Sequence, residues 1–174
     1  MDSFETIKVD HRDAVDWVSL NRPESLNSIN GDMAYELVTY FRSVADSKQT
    51  RVIVLRAEGE GFCSGLDLKS FQAGTGSPQK ARYIPDIVKA MWDCPHPIVA
   101  LIHGVAVGAG FAFALASDIR IAGESARMRI PFIKLGLAGS ELGLSYFLPR
   151  QVGMSVAAEL MYTGKFLQAD RALQ

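Results

Sequence analysis

Apolar and polar residues divide the chain into short apolar runs separated by stretches of helical periodicity. The runs at residues 14–20, 52–55, 98–102 and 119–122 predict four strands. After Asn30, a residue type that favours helix N-termini, Met33, Leu37, Phe41 and Val44 recur at helical spacing and predict a helix with one buried face. Strands that alternate with helices predict an α/β architecture with largely parallel strand pairing.

The same pattern predicts further helices later in the chain. One begins at about residue 85 and is expected to bury Val88, Met91 and Trp92. Others are predicted over residues 108–116 and 140–161, the latter interrupted at Pro149, and residues 168–174 resemble the start of another. Residues 73–78, rich in Gly, Ser and Pro, predict a loop.

Two glycine-rich turns are the most informative feature of the sequence. The apolar run at 51–56 leads into a turn at 61–68, and the run at 97–103 leads into a turn at 104–110. Glycine allows sharp turns with bare backbone N–H groups, and two such groups side by side can hold one oxyanion. The pattern therefore favours an enzyme of acyl chemistry.

Composition narrows the function further. The chain has 174 residues, which corresponds to a single domain over residues 1–174, with 48% hydrophobic and 21% charged residues. A net charge of −1 gives no electrostatic reason to expect nucleic acid or an anionic membrane as a partner, and no apolar stretch is long enough to span a bilayer. Without a signal-peptide pattern, and with Cys63 and Cys94 expected to be reduced thiols, the sequence predicts a cytoplasmic protein.

The motifs together resemble the crotonase superfamily, the enoyl-CoA hydratase/isomerase family. The resemblance covers nearly the whole chain, in order and at family-like spacing. The motifs that carry it are Leu20-Asn-Arg-Pro-Glu24 with Leu26-Asn27, Phe62-Cys-Ser-Gly-Leu-Asp-Leu68, His103-Gly-Val-Ala-Val-Gly-Ala-Gly110, Ala116-Ser-Asp-Ile-Arg120, Gly136-Leu137 and Leu148-Pro-Arg-Gln-Val-Gly153.

This resemblance implies a crotonase-like ββα spiral core that binds an acyl-CoA thioester. It implies an oxyanion hole made of the backbone N–H groups of Leu66 and Ala109, and a coenzyme A contact along Leu66, Asp67, Leu68 and Lys69. Coenzyme A would enter as part of the substrate, with no other cofactor and no metal. Longer members of the family have a C-terminal helical region that helps to form trimers. We expect that region to be absent here and the protein nevertheless to be a homo-oligomer, a trimer or hexamer.

The family's hydratases use two glutamates, and this chain has neither. The corresponding positions are Ala112 and Phe132, while Glu141 falls where several relatives place an active carboxylate. A single base suits Δ3,Δ2-enoyl-CoA isomerisation, in which Glu141 would remove a C2 proton and return it at C4, and burial should raise the pKa of such a carboxyl. Two alternatives remain: an enoyl-CoA hydratase of fatty-acid oxidation, and an inactive acyl-CoA-binding scaffold.

Other chemically notable residues have simpler interpretations. Asp67 is typical of a helix cap, and the structural alternative for Glu141 is a favourable charge at a helix N-terminus. Cys63 is expected to be a buried thiol, and the three histidines show no metal-ligand spacing. Phe113 stands where a dinucleotide-binding turn would need its third glycine, which disfavours NAD binding.

Overall fold

The fold consists of two β-sheets and the helices that pack on them. A computed structural model of the protein describes residues 4–72, 78–138 and 140–174. The strands are β1 (Ile7–Arg12), β2 (Val15–Leu20), β3 (Val52–Ala57), β4 (Ile98–Ile102), β5 (Val105–Val107), β6 (Ile119–Ala122), β7 (Arg127–Arg129) and β8 (Leu167–Gln168).

Within the described residues, seven α-helices connect and cover these strands. They are α1 (Gly31–Val44), α2 (Leu68–Gln72), α3 (Pro78–Ala81), α4 (Ile84–Asp93), α5 (Ala109–Ala116), α6 (Leu144–Thr163) and α7 (Ala169–Leu173). Single 3₁₀ turns occur at Pro23–Ser25, Phe132–Leu135 and Glu141–Gly143.

The larger sheet confirms the predicted parallel pairing. Its strand order is β1-β2-β3-β4-β6, in which only β1 pairs antiparallel to its neighbour. The smaller sheet has the order β5-β7-β8, with β5 and β7 parallel. The middle of β3 is buried, and buried residues alternate with half-buried ones along β4, which agrees with the apolar sequences of these two central strands.

Two helices illustrate how the apolar pattern is used. In α1, the Asn30 side chain accepts a hydrogen bond from the Met33 N–H at 2.9 Å, and the predicted face of Met33, Leu37, Phe41 and Val44 is buried. Helix α5 is apolar around its whole circumference, and all eight of its residues are buried. A helix without a polar face belongs in the core, so the start of α5 has a fixed position.

Three details differ from the predictions. Trp92 is 60% exposed, because it lies at the edge of the α4 stripe formed by Ile87, Val88 and Met91 and lines a surface cavity instead. The C-terminal helical segment departs from helical geometry at Gly153 (φ 78°, ψ 161°), while Pro149 stays inside α6. Strands β1, β5, β7 and β8 were not predicted, since their runs are short or largely polar.

The predictions for the C-terminal helix and for the loop at residues 73–78 can be compared with the structure in part. The predicted helix near the C-terminal end is present as α7. Of the predicted loop, residues 73–77 lie outside the described residues, and Pro78 begins α3. None of the helices in the described ranges is long and apolar enough to cross a membrane.

A buried carboxylate connects the edge of the larger sheet to α1. Asp16 of β2 lies 2.6 Å from the Nδ1 atom of His11 on β1, accepts a hydrogen bond from the Tyr40 hydroxyl at 2.8 Å, and accepts one from Thr50 Oγ1 at 3.2 Å. The hydrogen bond to Asp16 raises the pKa of His11 above its ordinary value. The pKa of Tyr40 is also raised, mainly because the hydroxyl is buried and in addition because it donates a hydrogen bond to the same carboxylate.

The His11–Asp16 pair makes stability depend on pH in a defined direction. A raised folded-state pKa contributes stability that is fully present below the unfolded value of about 6.5 and is lost as the pH rises through the folded pKa. We therefore expect His11→Gln to lower the urea midpoint of unfolding more at a pH of about 5.5 than at a pH of about 8.5, relative to wild type at each pH. Equal losses at both pH values would contradict this role for the imidazolium.

Candidate functional site

The first glycine-rich turn begins where β3 ends and places Leu66 at the surface of the core. Phe62 and Cys63 are fully buried, and Gly65, with φ of +99°, reverses the chain immediately before Leu66. The turn ends at Asp67, whose carboxylate accepts a hydrogen bond from the Ser70 N–H at 3.1 Å. Asp67 therefore caps α2, as predicted.

The second turn has the same construction. Strand β5 ends at Val107, Gly108 adopts φ of +53° and ψ of −110°, and Ala109 is the first residue of α5. In both turns the glycine with positive φ directly precedes the residue whose N–H was predicted to bind an oxyanion. Non-glycine residues rarely adopt these angles, so the two glycines set the direction of the two N–H groups.

Backbone hydrogen bonds hold the two turns together. The N–H groups of Phe62 and Cys63 donate to the carbonyls of His103 and Val105, each at 2.9 Å, and the Val107 N–H donates back to the Cys63 carbonyl at 2.9 Å. The backbone of Gly110 also lies so close to Cys63 that a Cβ atom at Gly110 would be 2.4 Å from the Cys63 carbonyl oxygen. The spacing between the turns is therefore fixed by main-chain contacts.

The N–H groups of Leu66 and Ala109 have no protein acceptor among the residues that the structure describes. Around Leu66, the hydrogen bonds to Ile29 use the Gly65 carbonyl (2.8 Å) and the Asp67 N–H (3.0 Å), and the Leu66 N–H takes no part in them. Ala109 starts α5, where the first N–H groups have no acceptor within the helix, and no side chain caps it. Leu66 and Ala109 line the same cavity.

This cavity has a volume of about 720 Å³ and mostly apolar walls. Ile84, Val88 and Trp92 of α4 form one side, and Tyr146 and Phe147 of α6 belong to the lining as well. Further apolar lining comes from Phe132, Leu135, Leu137 and Leu142. Within the described ranges, Lys89 is the one charged residue of the lining, and its ammonium group is paired with Asp93.

Two polar residues of the N-terminal motif, Arg22 and Asn27, hold the first glycine-rich turn in place through hydrogen bonds. The buried Asn27 donates from Nδ2 to the carbonyls of Glu58 and Gly61, at 2.8 and 2.9 Å, and accepts from the Arg22 N–H at 2.8 Å. Arg22 in turn donates to the Ser28 carbonyl at 2.5 Å and to Asp67 at 3.0 Å. Because buried polar groups must be paired, these bonds fix the loop that carries Leu66.

Hydrogen bonds from Ser70 and Arg22 determine the ionisation state of the Asp67 carboxyl group. Partial burial favours the neutral acid, but the hydrogen bonds from Ser70 and Arg22 outweigh it and lower the pKa of Asp67. The carboxylate is thus ionised and engaged by the protein itself. Of its neighbours, Leu68 is exposed and lines the cavity, and Lys69 is exposed on α2.

The predicted base lies next to the cavity in sequence. Glu141 begins a 3₁₀ turn whose next two residues, Leu142 and Gly143, line the cavity, while the Glu141 side chain lies outside the part of the chain that the structure describes. Leu142 adopts φ of +53° and ψ of +32°, a left-handed conformation that is uncommon for leucine. Strained backbone of this kind often occurs at functional sites.

The other chemically notable residues have structural surroundings. Burial raises the pKa of the Cys63 thiol to about 12, so this cysteine is not an ionised nucleophile at neutral pH. Atom Nε2 of His103 lies 2.9 Å from the Gly59 carbonyl oxygen, and that of His96 lies 2.9 Å from the Val44 carbonyl oxygen. Across the described ranges, no three His, Cys, Asp or Glu side chains are grouped to hold a metal ion.

Much of the cavity wall cannot be recognised from the sequence pattern. Periodicity places Trp92 in the core, Phe132 stands where hydratases of the family have a glutamate, and no local signal marks Tyr146 and Phe147 as cavity residues. Periodicity reports that such residues are apolar on one helix face. It does not report whether that face meets the core or a cavity.

Comparison with known proteins identifies the family. The sequence matches the enoyl-CoA hydratase/isomerase family over residues 10–174. A probable enoyl-CoA hydratase of Mycobacterium bovis is 37% identical over 176 residues, which cover 95% of this chain and 62% of that protein. The chain therefore spans about three fifths of the length of this relative.

Solved structures agree. An enoyl-CoA hydratase from Bacillus anthracis superimposes with a TM-score of 0.89 at 34% identity, covering 97% of this chain and 66% of that one. A monofunctional enoyl-CoA isomerase from M. smegmatis superimposes with a TM-score of 0.81, also at 34% identity, covering 96% of this chain and 72% of that one. The chain thus has the crotonase-like core predicted from its motifs.

Proposed function

The chain belongs to the enoyl-CoA hydratase/isomerase family, and we propose that it catalyses Δ3,Δ2-enoyl-CoA isomerisation. The observation that carries the proposal is the pair of N–H groups, on Leu66 and Ala109, at one apolar cavity. Two such donors suit a thioester oxygen that becomes negatively charged when a neighbouring carbon loses a proton. The helix dipole of α5 adds to the effect at Ala109.

In the proposed reaction, Glu141 acts as the single base. Its carboxylate removes the C2 proton of a 3-enoyl-CoA, the two N–H groups bind the resulting dienolate oxygen, and the carboxylic acid returns the proton at C4. Support comes from the position of Glu141 in the sequence, directly before two residues that line the cavity, and from the left-handed backbone at Leu142.

Hydration is the second candidate, because the Mycobacterium bovis and Bacillus anthracis relatives are named as hydratases. Addition of water needs a group that orients and deprotonates the water. At the two positions where hydratases of the family place glutamates, this chain has Ala112, fully buried in α5, and Phe132, in the cavity wall. These substitutions favour isomerisation, and an inactive acyl-CoA-binding scaffold is the third outcome to be tested.

Incubation with trans-3-hexenoyl-CoA followed by chromatography distinguishes an isomerase, a hydratase and an inactive scaffold. Formation of 2-hexenoyl-CoA without a 3-hydroxyacyl product is expected. A 3-hydroxyacyl product would show that water is activated and would overturn the proposal in favour of hydration. Thioester binding without conversion would identify a scaffold.

Glu141→Gln should abolish the isomerisation while leaving thioester binding intact. Loss of the only base is expected to reduce kcat by at least about 10² to 10⁴-fold, because positioned proton transfer contributes a factor of that size. Glu60→Gln is the matched control, since Glu60 is exposed and is not among the described residues of the cavity lining. Full activity in Glu141→Gln would show that another group is the base.

Replacing Ala109 by proline removes one of the two donors. Proline is well tolerated at the first position of a helix, and Gly108 has a ψ of −110°, outside the region that a following proline disfavours. Ala109→Pro should therefore lower kcat by at least about 10²-fold, because the donor is lost and the ring enters the space in front of it; the melting temperature shows whether the fold survives at this buried position. Ala109→Gly keeps the N–H and should remain within about threefold of wild type; equal losses in both variants would argue against the donor role.

For the rest of the substrate, we propose that the segment Leu66, Asp67, Leu68 and Lys69 lies along the coenzyme A moiety. Lys69 is exposed and available for a phosphate or adenine contact, and exposed Leu68 extends the apolar wall. Because Asp67 is engaged with Arg22 and Ser70, its contribution is to hold the segment in place. Coenzyme A enters as part of the thioester, and the proposed chemistry needs no separate cofactor.

We also propose that the chain self-associates as a trimer or hexamer. Strand β6 is an edge of the larger sheet, and its Ile119 and Ile121 side chains are 53% and 57% exposed. Exposed apolar residues on an unpaired edge favour association. Light scattering should therefore give a mass three or six times the 19.0 kDa of one chain, and a 19.0 kDa monomer or a dimer across micromolar concentrations would contradict the proposal.

A further inference from the structure

The cavity contains an aromatic cluster that the proposed isomerisation does not by itself require. Trp92 of α4 and Tyr146 and Phe147 of α6 all line the cavity that also contains Leu66 and Ala109. Trp92 is 60% exposed and Tyr146 is 46% exposed, whereas Phe147 is buried. Two large aromatic residues of the cavity lining are therefore substantially exposed.

The three rings are held in a fixed arrangement. The ring centroids of Trp92 and Phe147 are 5.3 Å apart at an interplanar angle of 49°, and those of Tyr146 and Phe147 are 5.3 Å apart at 88°. Trp92 and Tyr146 meet edge to face, with centroids 6.0 Å apart at 86°. The Arg150 guanidinium carbon also lies 3.7 Å from the centre of the Tyr146 ring, which further restrains it.

This arrangement of rings suits a ligand with an aromatic ring better than a linear acyl chain. Aromatic rings attract another aromatic ring through offset-stacked and edge-to-face contacts, an attraction that exceeds the effect of buried area alone. A linear acyl chain would gain only from the burial of apolar surface. Trp92 and Tyr146 lie almost perpendicular to one another, and Arg150 covers one face of Tyr146. An incoming ring can therefore stack on Trp92 and meet Tyr146 edge to face.

The remaining walls agree with an uncharged ring. Phe132 adds a fourth aromatic side chain, whose ring atoms lie 3.6 and 3.8 Å from the position that a Cβ atom would take at Gly108. Phe132 therefore lies beside the second donor. Together these side chains extend the aromatic lining to the neighbourhood of the oxyanion-binding N–H groups.

We infer that the acyl group taken by this cavity carries an aromatic ring, which packs against Trp92 and Tyr146 while the thioester oxygen is held by Leu66 and Ala109. This inference rests on the proposed function for the position of the thioester. It names the substrate class as aryl-substituted acyl-CoA rather than a simple straight-chain acyl-CoA.

Binding of unreactive thioesters tests the inference independently of turnover. The probes are phenylacetyl-CoA, cyclohexylacetyl-CoA, which has a ring of similar size without aromaticity, and hexanoyl-CoA, measured by calorimetry. Phenylacetyl-CoA should bind about tenfold more tightly than either of the others, the range expected for additional ring–ring contacts. Equal affinities for the phenyl and cyclohexyl compounds would overturn the inference.

Variants of Trp92 locate the ring. Trp92→Leu should weaken phenylacetyl-CoA binding about tenfold and hexanoyl-CoA binding less than threefold, whereas Trp92→Phe should retain the aromatic preference. Phenylacetyl-CoA should also quench the fluorescence of exposed Trp92, and the quench should disappear in Trp92→Leu. Trp17→Phe is the control, since Trp17 lies on β2 beneath Arg56 and is not among the described residues of the cavity lining.

The outcomes separate the two proposals. Selective binding of phenylacetyl-CoA by a chain that isomerises neither 3-hexenoyl-CoA nor its aryl counterpart 5-phenyl-3-pentenoyl-CoA would support the aromatic site and count against the proposed reaction alone. Isomerisation of 3-hexenoyl-CoA with equal affinities for all three probes would leave the reaction intact and overturn the aromatic site. Equal losses for both thioesters in Trp92→Leu would also overturn it.

Discussion

The main-chain contact between the two glycine-rich turns is the constraint on which the site depends. Three backbone hydrogen bonds connect residues 62–63 to residues 103–107, and Gly110 packs directly on Cys63. No side-chain rotamer enters this geometry, so the distance between the Leu66 and Ala109 N–H groups is set by the fold itself. Preorganised donors of this kind need no rearrangement when charge develops on a ligand.

The rest of the molecule can be understood as support for that contact. Helix α5 is buried on every side, which fixes the second turn, while Asn27 and Arg22 fix the first through hydrogen bonds to backbone carbonyls and to Asp67. The helices α4 and α6 then enclose an apolar volume over the donors. Because electrostatic interactions are stronger where water is excluded, the apolar walls increase the effect of two otherwise ordinary N–H groups.

The sequence predicted those parts of the structure that depend on local patterns. The strands β2, β3, β4 and β6, the capped helix α1 and the positions of the two turns all follow from periodicity, caps and glycines. The small sheet of β5, β7 and β8 could not be predicted, because strands of two or three residues are held by partners distant in sequence. Trp92 could not be placed from the sequence for a similar reason. It lies at the edge of the apolar face of α4, and tertiary packing determines whether a residue at that edge is buried or lines a cavity.

The composition of the cavity also bears on the choice between isomerisation and hydration. The family resemblance places the carboxylates of hydratases at the positions of Ala112, which is buried in α5, and of Phe132, which lines the cavity. Neither side chain can orient water, and Phe132 adds an aromatic ring to the cavity wall. A drier cavity disfavours water as a nucleophile, while transfer of one proton between two carbons of a bound substrate requires no water at all. In the proposed reaction, the two donors, a single base and an apolar enclosure are sufficient, because proton transfer along a dienolate requires no bound water.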